Sequence, residues 1–294
     1  MERLNKLLGG LFGVACGDAL GATLEFLSQE EGCKTYGYLK DIIGRGHWKL
    51  KPGQVTDDTM MTLCVAGGVL ENPECPIESI GNRFVKWYNS DPKDIGMTCE
   101  LAIKKYIETG DWKEASFYVH HISKGRTAGN GTIMRCIPVA LYYRDYSKMI
   151  DITKLQSKMT HYDEKAADAC VLYNTAIYKY LNGETKEKTI AEAIDSNEDY
   201  KDVMNMKKEE LIPSGYVVDT LKCALWCFMN NSNLEDTVCE AANLCGDADT
   251  VAAVAGGLAG TYYGYDSIPE RWKNKIEVKD KLMSIGEEIN STYN

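Results

Sequence analysis

Apolar positions along this chain recur mostly at intervals of three and four residues, and runs of strand-like alternation are scarce. That period predicts helices over 4–24, 58–71, 78–89, 97–108, 164–181, 216–229, 235–244 and 250–264. Tyr216-Val217-Val218 reads as a strand in isolation, but Leu221, Ala224, Leu225 and Phe228 continue it at helical spacing. The breaks fall at proline and glycine: Lys51-Pro52-Gly53, Asn72-Pro73, Asp91-Pro92, Pro213-Ser214-Gly215 and Ile268-Pro269. The expectation is an all-α protein, a compact many-helix single domain over residues 1–294. The polar, charge-rich stretch 183–212 reads as a surface excursion from it.

Two helices carry small residues where large ones are usual. Gly9, Gly10, Gly13, Ala15, Gly17, Ala19 and Gly21 crowd the first; Ala252, Ala253, Ala255, Gly256, Gly257, Ala259 and Gly260 crowd a late one. Each interior glycine costs about 1 kcal/mol against alanine. Repeated use implies a backbone closely approached, either by another helix or by a ligand.

Composition narrows the class. With 294 residues, 44% hydrophobic and 26% charged, the chain can bury a large core without disulfides or a structural metal. A net charge of −10 and no basic run argue against a nucleic-acid or membrane-surface binder. The first 26 residues are broken by Glu2, Asp18 and Glu25, so they read as an amphipathic helix, not a signal peptide. No segment reaches the ~20 apolar residues that span a bilayer. Eleven cysteines without a C-x-x-C pair, beside four histidines, read as reduced core thiols of a cytoplasmic protein.

Two acidic clusters stand directly before apolar helices: Thr56-Asp57-Asp58 and Asp247-Ala248-Asp249-Thr250. Either alone is a good helix cap. A cap needs one side-chain oxygen, however, and these clusters offer four carboxylates and two hydroxyls. Where the chain enters a helix, neighbouring oxygens can converge, and Asp247 and Asp249, two apart in an extended approach, share a side. If the clusters met, their repulsion would call for cations. All-oxygen ligands suit Mg²⁺ or Mn²⁺. Spacing alone leaves open whether they meet, because nearly 190 residues separate them.

The segment Gly125-Arg126-Thr127-Ala128-Gly129-Asn130-Gly131-Thr132-Ile133-Met134-Arg135 reads either as a phosphate-binding loop or as a plain connection. Arg126 and Arg135 would pair with pyrophosphate or equally with surface acids. His161, near the start of a further helix, and Tyr216, after Pro213-Ser214-Gly215, each have a structural and a functional reading.

Together the segments GVACGDALGATLEF (13–26), GQVTDDTMM (53–61), DIG (94–96), GNGTIMRCIPVAL (129–141), THYDEKAADA (160–169), SGYVVDTLKCALW (214–226) and GDADTVAAVAGGLAG (246–260) resemble the ADP-ribosylglycohydrolase family, especially its dinitrogenase-reductase-activating branch. The resemblance implies an all-α domain with a binuclear Mg²⁺ or Mn²⁺ site in a central cleft, held by Thr56, Asp57, Asp58, Asp247, Asp249 and Thr250. It implies Glu25 and Asp94 as the acids at the reacting bond. Gly96, Gly129, Asn130, Gly131, His161 and Tyr216 match positions that hold ADP-ribose. The implied activity is removal of ADP-ribose from a modified protein by hydrolysis of its N-glycosidic bond to arginine. The alternatives are another ADP-ribosyl linkage (the serine O-glycoside or O-acetyl-ADP-ribose) and a non-catalytic ADP-ribose binder. Monomer is the expected state, with the modified protein as partner and ADP-ribose as product.

Overall fold

The computed structural model describes residues 2–195 and 197–292. The helices are α1 (Glu2–Gly21), α2 (Gln29–Tyr36), α3 (Asp57–Glu71), α4 (Pro76–Tyr88), α5 (Met97–Thr109), α6 (Trp112–Ile122), α7 (Ile137–Tyr142), α8 (Tyr146–Lys158), α9 (Glu164–Leu181), α10 (Lys186–Asp195), α11 (Val217–Asn230), α12 (Leu234–Ala242), α13 (Ala248–Tyr263), α14 (Glu270–Lys273) and α15 (Lys279–Ser291). Among the described residues there is no strand, only isolated bridges between Arg45 and Leu50 and between Gly129 and Tyr216. None of these helices is long and apolar enough to cross a membrane. The buried apolar side chains form a continuous cluster to which every helix except α2 contributes.

The centre of the molecule is the pair α1 and α13. A Cβ built on Gly13 would lie 2.0 Å from the carbonyl oxygen of Gly256, and one on Gly17 would lie 2.0 Å from that of Ala252. Gly9 meets Gly260 and Gly21 meets Ala248 in the same way. One member of each pair rises by four as the other falls by four, so the helices run antiparallel in backbone contact. The small residues therefore serve helix packing, not a ligand. This packing sets the C-terminal end of α1, which leads to Glu25, against the first turn of α13.

Stretch 183–212 is no surface excursion. It forms α10 and short 3₁₀ turns, and it buries Ile190, Tyr200, Val203 and Leu211. Its charges, the buried Lys186 apart, lie toward the outer face, and they mask the anchoring residues when the segment is read by composition. The helices α2, α6, α8 and α15, absent from the periodicity reading, are polar on one side; Ser28, Asp111 and Asp145 cap the first three through their side chains.

All eleven cysteines are free thiols; eight are buried, whereas Cys33 and Cys75 are exposed and Cys64 lies between.

Candidate functional site

The two acidic clusters meet. Thr56 and Asp247 stand at the N-cap positions of α3 and α13, yet neither side chain makes a capping hydrogen bond. Elsewhere Ser28, Asp111, Asp145, Asp163 and Asn233 do cap their helices. The difference lies in Asp18, fully buried on α1. Its carboxylate accepts the backbone N–H of Thr56 at 3.0 Å, the backbone N–H of Thr59 at 3.1 Å and the Thr59 hydroxyl at 2.5 Å. Satisfying the start of α3 from a neighbouring helix releases Thr56, Asp57 and Asp58 to face the cluster. Sequence reading treated Asp18 only as a break in an apolar run. An acid amid the fully buried stretch of α1 was the available signal.

The released groups converge. The hydroxyls of Thr56 and Thr250 lie 3.3 and 3.4 Å from Asp58 Oδ2, across 192 residues in the second case. Oxygens of Glu25, Asp94 and Asp249 lie within 4.8 Å of one another. Asp249 belongs to the first turn of α13, and Asp247 precedes it with a non-helical backbone. They share a side because the chain bends there, not because the approach is extended.

Above the acids opens a cleft of about 470 Å³. Glu25, Asp57, Asp94, Gly96, Gly129, Asn130, Gly131, His161, Asp247, Asp249 and Thr250 line it. Thr56 and Asp58 do not line it; Thr56 lines an adjoining pocket together with Asp57 and Asp94. The Tyr216 side chain does not line it; Tyr216 pairs through its backbone with Gly129. The Gly96 N–H donates to Asp57 Oδ2 at 3.1 Å, which ties the 94–96 turn to α3. Asn130 Nδ2 donates to Asp247 Oδ2 and to the Thr220 hydroxyl, both at 2.9 Å. A larger groove of about 770 Å³ between α3, α4 and α15 has no such convergence of acids.

Sequence reasoning missed two further wall residues. Trp48 Nε1 donates to Glu25 Oε2 at 2.6 Å and fixes that carboxyl. Phe26, 61% exposed and at φ 63°, stands edge-on to His47 and Trp48. Neither arginine of the glycine loop matches its alternatives. Arg126 is exposed, and Arg135 is fully buried with no acid bonded to its guanidinium, although its charge acts through space on Asp57.

Burial is the main cause that drives the acids toward their neutral forms. It raises Asp18 and Asp57 to about 6 and Glu25 to about 7. Burial together with the surrounding carboxylates raises Asp94 to about 9 and holds Asp58 and Asp249 well above the usual range. Burial first, and the Arg135 charge second, lowers His161 to about 3, so its imidazole is neutral.

The fold and the cleft define the class of protein: an all-α domain with a buried acidic cleft. The chain belongs to the ADP-ribosylglycohydrolase family, whose sequence profile matches residues 1–294. It is 33% identical to the ADP-ribosylarginine hydrolase Tri1 of Pseudomonas putida over 98% of this chain and 78% of that protein. It is 32% identical to the ADP-ribosyl-[dinitrogen reductase] glycohydrolase of Rhodospirillum rubrum, covering 94% of this chain and 91% of the relative. A solved structure described as an ADP-ribosylglycohydrolase-related protein complex superposes with a TM-score of 0.86 at 30% identity, covering 100% and 99% of the two chains.

Proposed function

We propose that this protein hydrolyses the N-glycosidic bond between ADP-ribose and a protein arginine, with two Mg²⁺ or Mn²⁺ ions at the acidic cluster. The observation that carries the cation reading is the release of Thr56, Asp57 and Asp58 from capping into a buried group of acids. Within it, Asp58 Oδ1 is buried without any hydrogen-bond donor. An orphaned buried carboxylate oxygen is costly, and an oxygen-seeking cation removes that cost. Thr56, Asp57, Asp58, Asp247, Asp249 and Thr250 would hold the ions. When bound, such ions would lower the pKa of a coordinated water and neutralise the acids.

The chain's own groups have separate tasks. Gly96, Gly129 and Gly131 present backbone at the cleft where a side chain would take up ligand space. Asn130, anchored to Asp247 and Thr220, orders the wall near the acids. Trp48 holds Glu25 in one orientation. Without ions, burial brings the Glu25 carboxyl to about 7, and it lines the cleft where a proton has to move. In the reaction, water oxygen bonds to ribose C1″, the C1″–N bond breaks, and the water proton passes through Glu25 or Asp94 to the leaving guanidine nitrogen. Arginine linkage is favoured over serine by the two arginine- and dinitrogen-reductase-directed relatives, both above 30% identity.

The deciding experiment measures free ADP-ribose released from an ADP-ribosylarginine protein and from a serine-linked peptide, with Mg²⁺ or Mn²⁺ and with Asp57→Ala as control. Arginine-selective, metal-dependent release that the variant lacks is the expected result. Release from serine alone would reassign the linkage, and ADP-ribose binding without release from either would make the protein a binder.

A further inference from the structure

Arg135 is an unusual buried charge. It is fully enclosed, and every partner of its guanidinium is neutral: Gln156 Oε1 at 3.3 Å from Nε, the Gln156 carbonyl at 3.2 Å and the Thr160 hydroxyl at 2.9 Å from Nη2, and Cys99 Sγ at 3.3 Å from Nη1. The Phe84 ring covers its face at 4.7 Å from Cζ. A buried charge with no carboxylate bonded to it, Asp57 acting on it only through space, is expensive to keep, so its geometry calls for a role beyond filling space.

The chain of bonds continues toward the cleft. The Thr160 oxygen that accepts from Arg135 lies 2.8 Å from His161 Nδ1. A hydroxyl has one proton to give, and with Arg135 occupying one lone pair, two acceptors lie beside it: His161 Nδ1 and the Cys99 thiol. Sulfur is a weak acceptor and already receives Arg135 Nη1, so the imidazole nitrogen takes the proton. Nδ1 is then the acceptor, and the ring proton sits on Nε2. That nitrogen faces the cleft, close to Gly129 and Gly131: Cβ atoms built there would lie 3.1 and 3.5 Å from it. The adjoining guanidinium charge disfavours a second ring proton, in line with the depressed affinity of His161.

We infer that Arg135 is a positioning residue: through the Thr160 hydroxyl it holds His161 in the Nε2–H tautomer, as a neutral hydrogen-bond donor to an acceptor oxygen of the ligand. The ligand half of this statement rests on the ADP-ribose reading above; the tautomer does not. The buried cation thus acts at the cleft without touching its contents, and it selects donation over acceptance at one point of the wall.

The test uses the full-length protein. Long-range ¹H–¹⁵N correlation of the imidazoles is tractable because the chain has four histidines. The ligand-free wild type is expected to show His161 protonated at Nε2 alone. Thr160→Val, which keeps shape and removes the hydroxyl, is expected to give a mixture of tautomers and to weaken ADP-ribose binding about tenfold by calorimetry. Thr160→Ser restores both. Arg135→Lys keeps the charge without the fork and is expected to move both readouts in the direction of Thr160→Val. A wild-type Nδ1–H ring overturns the inference, as does a Thr160→Val protein with wild-type tautomer and affinity. Should wild type fail to bind ADP-ribose, the functional reading falls, while the ligand-free spectrum still decides the tautomer.

Discussion

Asp18 Oδ2 accepts the Thr59 hydroxyl at 2.5 Å, so an acid on α1 caps α3 and leaves the three residues that begin α3 free of that task. Asp18→Ala would strand two backbone N–H groups and a hydroxyl in the interior. Relief of repulsion toward Asp57 and Asp58 offsets this only in part, because the lost bonds are direct. The expected loss is about 3 kcal/mol of stability, read by urea unfolding, together with loss of turnover. An unchanged midpoint would contradict the capping role.

The acids also set a pH dependence in protein stripped of metal. Asp18 and Asp57 near 6, Glu25 near 7 and Asp94 near 9 all lie above the unfolded values close to 4. The folded state therefore binds more protons than the unfolded state between about pH 4 and 9. Stability contributed by these groups is full below that window and is lost as pH rises through it. In a chelator, the melting temperature should fall from pH 5 to pH 9. Added Mg²⁺ or Mn²⁺ should flatten the trend, since a ligand bound only by the folded state stabilises it. Parallel curves with and without the ions would count against the cation site.

Gly17→Ala places a methyl where Ala252 O now sits 2.0 Å away, so α1 and α13 must separate. Overpacking of this kind is expected to cost about 3 kcal/mol despite the better helix propensity of alanine. Because the same packing brings Glu25 toward Asp249, activity should fall more than the fraction unfolded accounts for. Thermal unfolding and turnover measured on one sample decide it.

Trp48→Phe keeps an aromatic ring in the wall and removes the N–H that holds Glu25. Turnover is expected to drop about tenfold with little change in melting temperature. Full activity in the variant would show that Glu25 needs no such support.

The helical period made α1, α3, α4, α5, α9, α11, α12 and α13 legible, since each is long enough to repeat its apolar spacing and is bounded by glycine, proline or a polar cap. Helix α2 repeats the pattern too few times to stand out, and the charges of α10, which is longer than α12, mask its apolar positions. The acidic clusters were legible as more oxygen than a cap can use. Tyr216 was less so, because a residue's number does not tell whether its ring or its backbone faces a cleft.

What residue pattern and spacing determined was local: element type, the breaks, and the excess of acid before two helices; the meeting of the clusters was implied only by the family resemblance. What only the tertiary structure decided was convergence. The Gly9, Gly13, Gly17 and Gly21 face of α1 accepts α13 at backbone distance, and Asp18 on the same helix reaches α3. Those two contacts carry residues some 190 positions apart into one cluster. No periodicity encodes them, because distance along the chain holds no information about which faces of two helices will meet.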